Sequence, residues 1–270
     1  MTPRTKSMLR LGSQRAFASQ AATFATRGAF VRPPLRPCKH RHLLTTTAMG
    51  MDKIDIGSIP AYEIGDKTAP AVIVLQEWWG VTPDLKEIAT EISTRNYRAL
   101  IPDLYKGKVG VEVEEAKHIR EGLDWDQAVK ELLQAVDYLR STGSPKVACM
   151  GFCMGGALTL SVSQSGKIDC GVPCYGLPSE GHGEPENMKI PLQGHFGRQD
   201  TFFPAKDAEE FHTKVNDSSG DFELYIYEDA GHAFLTAESH RDKLDQPRAS
   251  DETRKLAWSR IYSFFDKHLK

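Results

Sequence analysis

The feature that most constrains the fold is an alternation between short apolar runs and longer segments with helical periodicity. After Pro70, the continuous apolar run Ala71–Leu75 is long enough for a buried strand. The pair Thr82-Pro83 then favours a helix start, because Thr can accept an unpaired N–H and Pro fits the first helical position. Apolar residues follow at helical spacing, at Leu85, Ile88, Ala89 and Ile92. Units of this kind predict a mainly parallel sheet with helices on both faces.

The same alternation continues to the C-terminus and predicts a single domain. Five more apolar runs are candidate strands, at 97–101, 147–152, 170–175, 190–196 and 222–227. Helices are predicted behind the Asp124-x-x-Gln127 capping pattern and over 155–164, 204–215 and 252–268. Residues 54–62 are expected to form an antiparallel edge hairpin, and the polar residues 105–122 an excursion over one end of the sheet. The sequence therefore predicts one α/β domain over residues 52–270.

The first fifty residues differ from the rest in composition. They carry nine of the 34 Lys and Arg and none of the 36 Asp and Glu. Their scattered apolar residues form no hydrophobic core of a secretory signal, so the pattern is typical of an organelle transit peptide, with a plain disordered tail as the alternative. The Pro-containing stretch 32–37 and the Thr run 45–47 favour a chloroplast over a mitochondrion. Translation from Met49 or Met51 would instead give a cytoplasmic protein.

The remaining chain has few features of a nucleic-acid, membrane or metal protein. With 25 basic and 36 acidic residues its net charge is −11, whereas a nucleic-acid partner would need a basic face. No uninterrupted apolar window reaches 18 residues, so we expect no membrane insertion. The four cysteines outside the leader lack partners at metal-binding spacing. We expect no metal or organic cofactor, a small-molecule partner, and a monomer or small homo-oligomer.

The segment Gly151-Phe152-Cys153-Met154-Gly155-Gly156 is the strongest candidate for chemistry. It follows an apolar run and opens a predicted helix, which is the context of a nucleophile elbow with Cys153 in place of Ser. Small neighbours allow strand and helix to approach each other around a sharp turn. The positive end of the helix would favour the reactive thiolate. The alternative is a small-residue helix start that contains a buried, inert cysteine.

Two further residues follow later predicted strands and complete a catalytic order. Asp200 lies after a strand and a Gly turn, where an orienting acid would hold an imidazole in one tautomer. His232 lies after the next strand and is the candidate general base. The order of nucleophile, acid and base matches an α/β-hydrolase, and parallel strands bring all three to one edge of the sheet. Taken singly, Asp200 could cap a helix and His232 could be an ordinary surface histidine.

The loop Gln76-Glu77-Trp78-Trp79-Gly80 occupies the position from which an oxyanion donor is expected. In this arrangement the backbone N–H groups of Met154 and Trp78 would stabilise the oxyanion of the reaction intermediate. Glu77 adds a carboxylate close to the cysteine, although a Glu in a polar loop is most often simply solvated.

Together these segments resemble the dienelactone hydrolase family, also called carboxymethylenebutenolidases. The resemblance rests on GFCMGG, FGRQD, EDAGHAF, QEWWG and Pro102-Asp103-Leu104-Tyr105, and it runs over essentially all of 52–270. It implies a single-domain α/β-hydrolase fold and a triad of Cys153, Asp200 and His232. It also implies that Glu77 pairs with the resting thiol until substrate binding displaces it.

The sequence departs from the family where arginines hold the substrate carboxylate. The family carries one arginine soon after the Asp-Leu-Tyr segment, where this chain has Lys106, Gly107 and Lys108. It carries the other just after the His-x-Phe segment, where this chain has Leu235 and Thr236. A lysine supplies a point charge rather than a bidentate fork. We expect substrate contacts from Trp79, Tyr105, Lys106 and Phe234, in a pocket that is more apolar and that Trp78 and Phe202 also line.

The sequence thus predicts a hydrolase of carboxylic esters or lactones that acts through Cys153 and an acyl-enzyme. The alternative is a redox-responsive or binding protein on a hydrolase scaffold without turnover, because exposed cysteines of low pKa are also oxidation sensors. An intact pair of Asp200 and His232 distinguishes the two, since a sensor would not need it.

Overall fold

The computed structural model describes residues 50–236, 240 and 243–270, all within the unit Thr46–Lys270. Apart from Gly50, the predicted transit peptide lies outside the described residues. The described part contains these strands: β1 (Asp52–Ile56), β2 (Ile59–Ile64), β3 (Ala71–Leu75), β4 (Arg98–Pro102), β5 (Val147–Phe152), β6 (Cys170–Cys174), β7 (Pro191–Gly197) and β8 (Asp221–Tyr227). Its α-helices are α1 (Pro83–Thr94), α2 (Val113–Glu121), α3 (Trp125–Ser141), α4 (Met154–Ser163), α5 (Ala205–Asp217) and α6 (Asp251–Leu269).

The eight strands form one sheet in the order β1-β2-β4-β3-β5-β6-β7-β8. The strands β1 and β2 form the predicted antiparallel hairpin, and β2 is also antiparallel to β4. Every other neighbouring pair is parallel. The predicted α/β-hydrolase architecture, a mainly parallel sheet between helices, is therefore confirmed.

The sheet is buried on both faces, which explains why its strands are continuous apolar runs. In β3, Val72 and Val74 face the core beneath α1 and α6, whereas Ile73 and Leu75 face the core beneath α3 and α4. Side chains of a strand alternate between faces, so a strand with helices above and below it needs apolar residues at every position.

Local side-chain chemistry fixes where the predicted helices begin. Thr82 caps α1 by accepting a hydrogen bond from the Leu85 N–H, with Pro83 in the first helical turn. Asp124 caps α3 by accepting from the Gln127 N–H at 3.0 Å. The side chain of Gln127 donates to Glu131 instead of returning to the cap residue, so only half of the capping box forms.

The segment 105–122 contains a helix that the sequence pattern did not predict. Of the residues in α2, only Ala116 is buried, so the helix has no apolar stripe by which its period could be recognised. At its N-terminal end, the backbone of Gly110 donates to the carbonyl of Trp79. The predicted excursion over the sheet end is thus partly a helix, and its placement matters for the site described below.

The strand order places a crevice between β3 and β5. From β3 the chain crosses to β4 on one side, and from β4 it returns past β3 to β5 on the other. The loops that leave the carboxyl ends of β3 and β5 therefore diverge, which is the position where open α/β sheets bind ligands. These two loops carry Glu77 and Trp78 on one side and Cys153 on the other. No helix of the described residues is long and apolar enough to cross a membrane.

A buried ion pair joins this central part of the sheet to its antiparallel edge. Arg98 on β4 is fully buried and donates from Nε to the carboxylate of Glu63 on β2 at 2.6 Å. The guanidinium also reaches the carbonyl of Leu139 and the hydroxyl of Ser144, after the end of α3. A single charged residue thus links three elements in a region closed to water.

Replacement of Arg98 alone should destabilise the fold strongly. Arg98→Met leaves the Glu63 carboxylate buried without its cation, which typically costs about 3–5 kcal/mol of unfolding free energy. The double variant Arg98→Met/Glu63→Leu removes both charges and should recover much of the loss. Urea unfolding followed by circular dichroism measures both. A single variant that unfolds at the urea concentration of the wild-type protein would contradict the assignment.

Candidate active site

Cys153 lies at a sharp bend between β5 and α4. Its backbone adopts φ 53° and ψ −116°, a conformation that residues with a side chain rarely take. The bend puts Cys153 at the carboxyl end of a central strand and immediately before the first residue of α4. Its side chain is half-buried, whereas Cys149, Cys170 and Cys174 are buried. The predicted elbow geometry is therefore present around a cysteine that solvent can reach.

Two glycines allow the bend to pack against its neighbours. A Cβ on Gly155 would lie 2.6 Å from the carbonyl oxygen of Gln76, so the loop after β3 reaches the start of α4 only because this residue is Gly. A Cβ on Gly176 would lie 1.9 Å from the carbonyl oxygen of Cys153. Gly176 lies outside the elbow segment, and the sequence pattern alone gave no signal for its role.

Asp200 and His232 meet at the carboxyl ends of β7 and β8. The Nδ1 atom of His232 lies 2.8 Å from Oδ2 of Asp200, and both side chains are buried. The other carboxylate oxygen of Asp200 accepts the backbone N–H groups of Phe202 and Phe203 at 2.8 and 2.9 Å. Both oxygens are thereby fixed, so the carboxylate can hold the imidazole in one orientation.

The surroundings of His232 favour its protonated form. Burial by itself disfavours the imidazolium, but the negative charge of Cys153, the hydrogen bond to Asp200 and a hydrogen bond to Cys153 outweigh burial and raise the pKa of His232 to about 10. The rings of Phe203 and Tyr175 pack on the imidazole, with centroids 5.7 and 5.2 Å away. With a pKa of about 10, His232 keeps its proton at neutral pH.

Cys153 and His232 line one cavity of about 720 Å³ at the crevice. Trp78 and Met154, the predicted oxyanion donors, line the same cavity. As the first residue of α4, Met154 has an N–H without an acceptor inside its own helix. The close approach at Gly155 brings the loop of Trp78 beside that helix end. The structure thus gathers around one space the five residues Cys153, Asp200, His232, Trp78 and Met154, with Asp200 reaching it through His232.

Glu77 faces a different space. It lines a second, small cavity of about 10 Å³ together with Trp79 and His240. Its carboxylate accepts a hydrogen bond from the hydroxyl of Thr236 at 3.4 Å. Thr236 stands four residues after His232, so the contact joins the loop of His232 to the loop after β3.

The four residues expected to contact substrate are not among those that line the cavity of Cys153 and His232. Trp79 is buried and its ring stacks on that of His240 at 4.4 Å. The Lys106 ammonium lies 3.2 Å from the carboxylate of the nearly buried Glu131 and lines a separate groove.

Tyr105 and Phe234 support the cavity from behind. The Tyr105 hydroxyl reaches the sulfur of Met154 at 3.3 Å, and Phe234 is fully buried between the rings of Tyr175 and Tyr227. Both residues adjoin segments of the candidate site, and both are buried by packing against other side chains rather than exposed in this cavity.

The walls of the cavity come instead from residues that the sequence did not single out for binding. Trp125 at the start of α3 and Phe203 beside Asp200 add aromatic surface, and Lys117 and Arg120 of α2 stand at the rim. In the sequence, only the position of Phe203 next to Phe202 indicated that any of these residues would line the cavity. Among the described residues, no group of three or more His, Cys, Asp or Glu is arranged to hold a metal ion.

Comparison with known proteins places this architecture in a family. Residues 59–269 match the model of the dienelactone hydrolase family. The chain belongs to the dienelactone hydrolase family. As a member of this family, it is 33% identical over 213 residues to Protein usf of Aquifex pyrophilus, covering 74% of this chain and 89% of that protein. It is 30% identical over 184 residues to the carboxymethylenebutenolidase of Pseudomonas putida, covering 63% of this chain and 77% of that enzyme.

Solved structures agree with this dienelactone hydrolase fold. A dienelactone hydrolase-like promiscuous phosphotriesterase from metagenomic libraries superposes with a TM-score of 0.72 at 20% identity, over 83% of this chain and all of that chain. At that identity the likeness concerns the fold alone. The family membership and the carboxymethylenebutenolidase relatives together make the chain a hydrolase that acts on ester or lactone bonds. The predicted resemblance is confirmed.

His232 should remain protonated well above neutral pH. Nuclear magnetic resonance of histidine-labelled protein should give a titration midpoint near 10 for this ring. Asp200→Asn and Cys153→Ser each remove a negative charge that stabilises the imidazolium, so each should lower the midpoint. The spectrum of His232→Gln assigns the signal. A wild-type midpoint near the ordinary value of about 6.5, or one that neither variant moves, would refute the electrostatic account.

Proposed function

We propose that the protein hydrolyses carboxylic esters or lactones through a thioester acyl-enzyme on Cys153. The observation that carries the proposal is the 2.8 Å hydrogen bond from His232 to Asp200 beside a cavity that His232 and Cys153 line together. A solvent-reachable sulfur, an imidazole and a buried carboxylate stand in the chain order of an α/β-hydrolase. Each has a separate role in moving one proton and one acyl group.

In the first half of the reaction, the Cys153 thiolate attacks the carbonyl carbon and a C–S bond forms. The carbonyl oxygen becomes an oxyanion, which the N–H groups of Met154 and Trp78 stabilise. The ester C–O bond then breaks, and the leaving oxygen takes the proton from the His232 imidazolium. In a lactone the leaving oxygen stays tethered to the acyl chain, so the ring opens without release of a product.

In the second half, water resolves the thioester. Neutral His232 takes a proton from the water, whose oxygen attacks the acyl carbon, and the same two N–H groups stabilise the oxyanion again. The C–S bond breaks, the carboxylic acid leaves, and the thiolate and imidazolium are restored. Asp200 stays ionised throughout and steadies the charged imidazole.

The three buried cysteines and the two serines inside α4 fit the nucleophile role poorly. Burial raises the pKa of the Cys149 thiol to about 12, and it also raises the pKa of Cys170 and Cys174 above the ordinary range of a thiol. Ser161 and Ser163 lie inside α4 rather than at its start, and their hydroxyls donate to backbone carbonyls. Cys153 is therefore the candidate that combines access with an adjacent base.

A role for Glu77 follows from the resemblance and stays part of the proposal. The Thr236 hydroxyl holds its carboxylate beside the small cavity, at a site where a neutral donor replaces the arginine expected from the family. Pairing of this carboxylate with the resting thiol, which substrate binding would end, is the role that we assign to Glu77.

The redox-responsive alternative shares the accessible Cys153 but not the remaining geometry. Oxidation of a thiolate requires no imidazole held by a carboxylate whose two oxygens are both engaged. Peroxide-dependent partner binding without turnover of any ester would favour that alternative over the hydrolase.

Removal of the sulfur should abolish turnover. Cys153→Ala should lower kcat/KM for an activated ester such as 4-nitrophenyl acetate by at least about a thousandfold, the scale seen when a nucleophile is removed. Mass spectrometry of acid-quenched wild-type protein should find the acyl group on the peptide that contains Cys153. Cys170→Ala is the matched control, because it removes a buried thiol away from the cavity, and it should keep wild-type activity. Full activity of Cys153→Ala would refute the proposal.

A further inference from the structure

We propose that the preferred substrates are bulky, uncharged aromatic esters rather than small carboxylated lactones. The inference deepens the proposed function and depends on it, because it concerns the cavity that Cys153 and His232 line. It rests on three properties of that cavity: its size, the rings in its wall, and the balance of charge at its rim.

The cavity is far larger than a small lactone requires. Its volume of about 720 Å³ falls in the range of roughly 300–1,000 Å³ typical of pockets that enclose drug-sized ligands. A monocyclic lactone would leave much of the wall exposed to water. The space beyond the scissile carbonyl therefore suits a substrate with an additional ring.

Four aromatic side chains supply the wall: Trp78, Trp125, Phe202 and Phe203. One of these rings has a polar anchor, since the indole N–H of Trp125 donates to the hydroxyl of Ser161 at 3.0 Å. The backbone N–H groups of Phe202 and Phe203 donate to Asp200, which holds their loop beside the cavity. The four rings offer a large apolar and aromatic surface, which favours a partner ring in offset or edge-on packing.

Phe202 is the most informative of these rings. Its side chain is 51% exposed, and among the described residues only four large hydrophobic side chains are exposed. Its ring centroid lies 5.0 Å from that of His232, so the ring stands beside the imidazole. A bound aromatic group that covers the exposed part of this ring would gain apolar burial next to the proposed reacting centre.

Charges around the cavity give no preference for an anion. The cations Lys117 and Arg120 are matched in number by the carboxylates of Glu121 and Asp207. All four side chains are exposed, where an ion pair contributes at most about 1 kcal/mol. Lys106, at one of the positions where the family carries an arginine, is engaged by Glu131 in a different groove. The buried cation of this cavity is the His232 imidazolium, which Asp200 already pairs at 2.8 Å. A substrate carboxylate would thus meet no buried lysine or arginine among the residues that line this cavity.

Three esters with the same leaving group separate bulk from charge. They are 4-nitrophenyl acetate, 4-nitrophenyl 3-phenylpropanoate and its 4-carboxyphenyl analogue, each corrected for its uncatalysed hydroxide rate. Wild-type kcat/KM should be at least about tenfold higher for the phenylpropanoate than for acetate, the effect expected from burying one ring. The carboxylated analogue should show no gain over the neutral one.

Phe202→Ala tests the ring directly. It should lower kcat/KM for the phenylpropanoate by about tenfold more than for acetate, because a change in catalysis alone would affect both substrates equally. Leu256→Ala is the matched control, since it removes an exposed apolar side chain on α6 and should change neither value. A clear preference of the wild type for the carboxylated ester, or an equal loss for both substrates in Phe202→Ala, would overturn the inference.

Cys153→Ala distinguishes the two levels of the proposal. If that variant is inactive on all three esters while the predicted preference fails, the catalytic assignment stands and the substrate class is wrong. If that variant retains activity, the proposed function itself fails.

Discussion

The active site depends on holding Cys153 in a backbone conformation that the residue would avoid on its own. A positive φ at a residue with a side chain costs on the order of 1–3 kcal/mol and persists only where the surroundings enforce it. Here the Cys153 N–H donates to the carbonyl of Cys174 at 3.0 Å, and the Cys153 carbonyl accepts from the Ala157 N–H at 3.1 Å. Gly155 lets the loop after β3 close against α4, and Gly176 leaves room for the carbonyl of Cys153 itself. The same close packing brings together the two segments that carry the proposed oxyanion donors.

The sheet topology converts this local strain into a site. Because the chain turns back past β3 to reach β5, two loops diverge and open a crevice at the strand ends. The parallel strands β7 and β8 end at that same edge and deliver Asp200 and His232 as hydrogen-bonded neighbours. The positive potential at the start of α4 and the proton on His232 both favour a negative sulfur between them. Fold and electrostatics therefore reinforce one another at Cys153.

The sequence was sufficient for features that depend on local order along the chain. Cys153, Asp200 and His232 each follow a recognisable strand, and parallel strands share an edge, so their meeting place could be deduced without coordinates. The pocket walls depend on which side of a loop faces the sheet, and no pattern encodes that. Tyr105 and Phe234 looked like pocket residues because they adjoin catalytic segments, yet both pack behind the wall.

The helix α2 shows why substrate recognition was the least predictable part. It is polar on nearly every face, so periodicity could not reveal it, yet it supplies Lys117 and Arg120 to the rim. Such solvated charges discriminate weakly between substrates, unlike a buried arginine that would reject any molecule lacking a carboxylate. Aromatic walls likewise favour substrates according to the apolar area that becomes buried, and not according to the pattern of hydrogen-bond donors and acceptors on the substrate. With the proposed triad beside aromatic walls and solvated charges, the chain should therefore accept a range of ester substrates that differ in rate according to their size.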